Sequence, residues 1–190
     1  MGRAPRLASP ARLHHVTNRG NDRRTIFVDD ADFQGFLTQA HVTGRHRRWT
    51  LLSYCLMPNH VHLLIDATVD DLSAGMRDLS GAYVRRFNRR HGTSGHLFGG
   101  RFHSVPVTSD RQLTAVVRYI ARNPVEAGLC KCPEDWQWSS YAALIGDRPP
   151  DAALAVDAAL QLVGSNADQA RRRIRTLATA PSGGANAQFG

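Results

Sequence analysis

A chain of 190 residues with 42% hydrophobic content is long enough to bury one substantial core and too short for two full domains, so one globular domain with trimmings is expected. A formal charge of +8 and a pI near 10.4 make a polyanion, nucleic acid first, the natural partner. No stretch approaches the roughly 18 apolar residues of a membrane span, and the Arg- and Pro-punctuated start at Met1–Arg12 carries no apolar leader, so a cytoplasmic protein without membrane partners is expected.

The basicity is almost all arginine, with Lys131 the single lysine. Arginine forks onto phosphate through two donors and stacks on unpaired bases, although GC-rich coding alone also favours it. Cys55, Cys130 and Cys132 are too few and too uneven for a disulfide framework, and the last two lack the spacing of a redox or zinc motif.

Residues 1–11 read as a flexible basic arm. Leu13 to Asn18 carries a strand signal that ends at the turn cluster Arg19-Gly20-Asn21, and Asp29-Asp30 offers helix-start carboxylates before Phe33, Phe36, Leu37 and Ala40. Trp49 to Met57 is a second strand, Pro58-Asn59 punctuates it, and His60 to Ile65 is a third, pairing antiparallel with it. Asp70 or Asp71 opens a helix whose stripe is Leu72, Met76, Leu79, Tyr83 and Phe87. A glycine-dense loop leads to a short strand near 102–107. A helix from Ser109 or Asp110 then runs through Leu113, Val116, Val117 and Ile120 until Asn123-Pro124 ends or kinks it. This order predicts an α+β fold with a ferredoxin-like antiparallel sheet and helices packed on one face, spanning 12–146. Residues 147–180 are expected to form a helical C-terminal extension, with helices at 151–163 and 167–179, and 181–190 a disordered tail.

Two residues apart in a strand, His60 and His62 project from one face, roughly 7 Å apart at Cα, close enough to converge on one cation. Four residues apart on a helix, Tyr119 and Asn123 share a face about 5–6 Å apart at Cβ, placing a hydroxyl beside a carboxamide. Each pair alone also fits an ordinary role: polar sheet surface for the histidines, a core aromatic and a pre-proline helix end for the other two.

The ordered words weigh on the first reading. Leu56-Met57-Pro58-Asn59-His60-Val61-His62-Leu63-Leu64 and Arg118-Tyr119-Ile120-Ala121-Arg122-Asn123-Pro124-Val125 closely resemble the single-tyrosine transposases of the HUH endonuclease superfamily, in particular the REP-associated tyrosine transposases. The resemblance continues through His15-Val16-Thr17-Asn18-Arg19-Gly20-Asn21, the segment Gly95–Phe102 and Trp136-Gln137-Trp138-Ser139-Ser140-Tyr141. It implies that His60 and His62 are the paired metal ligands, Tyr119 the nucleophile and Asn123 a third, amide-bearing ligand. Ala121, where relatives often carry histidine, and Glu126, where they often carry arginine, depart from the pattern and bear on DNA contacts.

The implied activity is metal-dependent cleavage and strand transfer of single-stranded or hairpin DNA through a 5′-phosphotyrosine. Mixed nitrogen and oxygen ligation suits Mg²⁺ or Mn²⁺ and leaves zinc open. Arg19, Arg23, Arg24, Arg85, Arg86, Arg89, Arg90 and Arg101 are candidates for gripping the strand. Trp136, Trp138 and Tyr141 read as a core-closing cluster, and the run Arg171–Arg175 as either a DNA clamp or a solvated face. The protein is expected to be a monomer or a homodimer. A non-catalytic nucleic-acid-binding module and a relaxase- or replication-initiator-like HUH nuclease are the rival readings.

Overall fold

The computed structural model describes residues 12–179; the expected arm at 1–11 and tail at 181–190 lie outside them. Strands β1 (Leu13–Arg19), β2 (Thr50–Met57), β3 (His60–Asp66) and β4 (His103–Pro106) form one antiparallel sheet in the order β2-β3-β1-β4. Helix α1 (Asp30–Arg47) connects β1 to β2, and α2 (Val69–His91) connects β3 to β4. Helix α3 (Asp110–Glu126) follows the last strand, and α4 (Tyr141–Ile145), α5 (Val156–Val163) and α6 (Ala167–Thr179) complete the described chain. Among the described residues no helix is long and apolar enough to cross a membrane.

The helix starts follow from short polar side chains that satisfy otherwise orphaned N–H groups. Asp29, Thr68 and Ser109 accept from the backbone N–H of Asp32, Asp71 and Gln112 at 3.2, 3.1 and 3.2 Å. Gly92 closes α2 at φ 63°, a left-handed conformation that glycine adopts without a Cβ penalty.

The sheet order and antiparallel pairing are those expected of a ferredoxin-like α+β fold. The side assignment needs one correction. β1 and β2 run parallel across β3, and β3 and β4 run parallel across β1. The right-handed crossover rule therefore puts their connecting helices α1 and α2 on the same face. There Phe27, Phe33, Phe36 and Tyr83 pack ring against ring, and Asn18 of β1 donates to Ser80 of α2. Helix α3 closes no crossover and is free of that rule. Its apolar stripe, Leu113, Val116, Val117 and Ile120, is buried against the opposite face, which carries His60 and His62, so the helices do not all share one face.

Helices α5 and α6 join the same core through Ala159, Leu160, Val163, Ala170, Ile174 and Ala178. The Trp-Gln-Trp segment closes its edge. Trp138 stacks on Phe33 with ring centroids 4.7 Å apart, Trp136 Nε1 donates to the Leu56 carbonyl at 3.0 Å, and Tyr141 is buried.

Candidate active site

Strand alternation puts His60, His62 and Leu64 of β3 on the α3 face, while Val61, Leu63 and Ile65 turn to α1 and α2. Pairing with β1 then sets the neighbours: Thr17 lies opposite His62, and Arg19 opposite His60. His15, two residues before Thr17, shares their face. From α3, Tyr119 and Asn123 lie one turn apart, each 9% exposed. The Tyr119 ring meets that of His62 edge to face, centroids 5.0 Å apart, and His62 meets His60 in the same way at 4.8 Å. The Asn123 side chain hydrogen-bonds both His60 and the Tyr119 phenol. The structure thus gathers all four residues around one point.

Both imidazoles are held by Nδ1. His60 Nδ1 donates to Asn59 Oδ1 at 2.6 Å; His62 Nδ1 lies 3.2 Å from His15 Nε2 and 3.3 Å from Thr17 Oγ1. Fixing Nδ1 leaves Nε2 as the nitrogen each ring can offer a metal. His62 Nε2 is buried and has no hydrogen-bond partner, an arrangement that costs free energy unless something at the site accepts its lone pair. Two imidazole nitrogens and an amide oxygen fit a divalent ion bound with positions open for other ligands. Among the described residues no group of three or more His, Cys, Asp or Glu offers a competing cluster.

Burial, with Arg19 second, lowers His60 to a pKa of about 4. Burial, then the neighbouring His60, His15 and Arg19, holds His62 well below its usual value. Both rings are therefore neutral near pH 7, the form that ligates. Burial pushes the Tyr119 phenol up, while the Asn123 hydrogen bond and the charge of Arg19 oppose that rise.

Residues 11–123, more than half of the chain, match the model of the family described as transposase IS200 like. The chain belongs to the IS200-like transposase family. A Haemophilus influenzae protein assigned by name to the REP-associated tyrosine transposases is 26% identical over 140 residues, which cover 68% of this chain and 79% of that protein. A solved structure of a REP-associated tyrosine transposase bound to a REP hairpin is similar over 82% of this chain and 93% of that one, at 23% identity and a TM-score of 0.61. That likeness shows a shared fold.

Around the candidate site of this IS200-like transposase the candidate arginines divide. Arg19, Arg23 and Arg101 line a groove of about 470 Å³ with Gly100, His103 and Thr17, and Thr17 and Arg19 are the cross-strand partners of His62 and His60. Gly20 lets the chain turn tightly here, since a Cβ would lie 2.2 Å from the Arg24 carbonyl oxygen. Arg24, Arg85 and Arg89 are exposed. Arg86 and Arg90 instead reach α1: Arg86 donates to the Ala31 carbonyl, and Arg90 binds Asp29 at 2.6 Å and Asp32 at 2.8 Å. Of the arginine run on α6, Arg173 donates to the Val163 carbonyl and Arg175 to that of Ile145 and to Asp147. A roomier groove, about 870 Å³ between residues 143–158 and Arg171, carries none of the candidate chemistry.

Of the two departures from the family pattern, Ala121 is buried and Glu126 pairs with Arg122 at 3.2 Å. His15, Thr17 and Asn59 are site neighbours that the sequence did not single out as such. The alternation His15, Thr17, Arg19 was visible, but only the register with β3 reveals which face it joins.

Proposed function

We propose that this transposase-family chain cleaves and rejoins single-stranded DNA beside a hairpin, with Tyr119 as nucleophile and Mg²⁺ or Mn²⁺ held by His60, His62 and Asn123. The observation that carries this reading is the meeting of the phenol and carboxamide of α3 with two Nδ1-anchored imidazoles of β3, one of them with a buried, unpartnered Nε2. The hairpin in the similar solved structure supports the choice of substrate.

In the forward step the Tyr119 oxygen attacks a backbone phosphorus in line, loses its proton, and the bond from phosphorus to the 3′-oxygen breaks. The products are a 5′-phosphotyrosine and a 3′-oxygen that takes up a proton. Asn123 holds the phenol in place, and the positive charge of Arg19 lowers the cost of the developing phenolate. A bound divalent ion would supply Lewis-acid polarisation of the scissile phosphate. Arg19, Arg23 and Arg101 grip the strand along the adjoining groove. Each cleavage conserves a phosphodiester, so a new 3′-hydroxyl attacking the phosphotyrosine rejoins DNA and frees Tyr119 without ATP.

The test is incubation with a hairpin oligonucleotide carrying single-stranded flanks, with Mn²⁺ or Mg²⁺, followed by denaturing electrophoresis. Wild-type protein is expected to give a denaturation-resistant adduct. Tyr119→Phe should give none, and His60→Ala and His62→Ala should reduce it while leaving salt-sensitive binding largely intact. Adduct formation by the Phe variant would overturn the nucleophile assignment. Salt-sensitive binding without any wild-type adduct would favour a non-catalytic binding module.

A further inference from the structure

The mechanism as described gives no role to His15, a buried polar side chain beside the site. His15 is 1% exposed, too deep to touch a DNA strand, yet its Nε2 lies 3.2 Å from His62 Nδ1. The two ring planes are within 18° of parallel, an orientation that lets an N–H of one ring point at the lone pair of the other. His15 also meets the Tyr119 ring edge to face, centroids 5.8 Å apart. A hydrophobic residue at this position would fill the same space, so the nitrogen is the feature that needs explaining.

We infer that His15 is a positioning residue that accepts a hydrogen bond from His62 Nδ1 and thereby fixes His62 in the tautomer whose Nε2 carries a lone pair toward the site. The inference rests on the metal-site reading above. One hydrogen lies between the two nitrogens, and it has two placements. If His15 donates, a neutral His62 must carry its proton on Nε2, where a buried N–H would face a position without an acceptor. If His62 donates, Nε2 presents a lone pair that a cation can use. Only the second placement makes His62 a ligand.

The Thr17 hydroxyl, 3.3 Å from His62 Nδ1, can accept a share of that N–H; able to donate as well, it fits the arrangement without setting its direction. The His60 ring is treated in the same way by another residue: Asn59 Oδ1, which can only accept, takes the Nδ1 proton at 2.6 Å. Both candidate ligands would then present Nε2 to one point, each with its orientation set from behind. Outer partners of this kind raise ligand basicity, and their removal commonly costs about 10–100-fold in metal affinity.

Two measurements on the full chain decide the matter. In ¹⁵N-labelled metal-free protein, long-range imidazole correlation spectra should show His62 protonated at Nδ1 and bare at Nε2; the reverse pattern overturns the inference without any variant. Mn²⁺ affinity, read from the free-ion electron paramagnetic resonance signal, should fall about 10–100-fold in His15→Phe. His15→Gln, which keeps an acceptor at that place, should recover most of the loss, a rescue that a merely space-filling role would not produce. Wild-type binding with an unchanged His15→Phe affinity overturns the positioning role alone. Wild-type protein that binds no Mn²⁺ contradicts the metal site itself, and the inference falls with it.

Discussion

The two faces of one sheet have been put to different uses. Toward α1 and α2, β3 presents Val61, Leu63 and Ile65 to a cluster of aromatic rings, and the result is closed packing. Toward α3, the same strand presents His60 and His62, which meet polar atoms from β1 and α3 in a setting almost as dry. A face that buries hydrocarbon gains stability with every side chain. One that buries imidazoles, a phenol and a carboxamide has to satisfy each polar group or leave it to a ligand. Hydrocarbon packing and the candidate chemistry thus sit back to back on a single strand, one residue apart.

Tyr119→Phe should separate the two most sharply. The ring remains against His62 and His15, so unfolding free energy should change by no more than the loss of one hydrogen bond, about 1 kcal/mol, while covalent adduct disappears. Phe36→Ala attacks the other face. Phe36 is 1% exposed, and truncating a buried phenylalanine costs about 3–5 kcal/mol. Chemical denaturation should register that loss, with Mn²⁺ affinity of the folded fraction unchanged. If Phe36→Ala weakened metal binding as much as stability, the two faces would not be independent.

A smaller effect divides the arginines. Asp32 is 1% exposed and receives the Val28 N–H, Arg90 and His91 at 2.8–2.9 Å. Arg90→Ala should therefore lower the denaturation midpoint, because a buried carboxylate loses one of its partners, and should leave DNA affinity alone. Arg101→Ala should do the opposite, keeping the midpoint and reducing the salt slope of single-strand binding by about 0.7. Finding Arg90→Ala defective in DNA binding and unchanged in stability would reverse the division.

What was legible in the sequence was periodic and local. The alternation of His60 and His62 with Val61 and Leu63 announced a two-faced strand, and Leu72, Met76, Leu79, Tyr83 and Phe87 are all buried on α2 as their spacing required. Asn123-Pro124 sits in the last turn of α3, which ends at Glu126. What escaped was set by distant pairing. The placement of Thr17 opposite His62 depends on how two residues 45 apart in the chain align across paired strands, and no local period encodes that register. Arg90 looked like a free cation because its partners Asp29 and Asp32 lie about 60 residues upstream on another helix. The side of the sheet taken by α3 was hidden for a related reason: an amphipathic stripe shows that a helix must pack, and not on which surface.

On the proposed reading, one point between β3 and α3 holds a cation. Crystals grown with Mn²⁺ and measured for anomalous scattering test it directly. A strong peak is expected within coordination distance of His60 Nε2, His62 Nε2 and the Asn123 side-chain oxygen, next to the Tyr119 phenol. A peak confined to another place, such as the Asp32 and His91 pair, with the histidine face empty at saturating Mn²⁺, would contradict it.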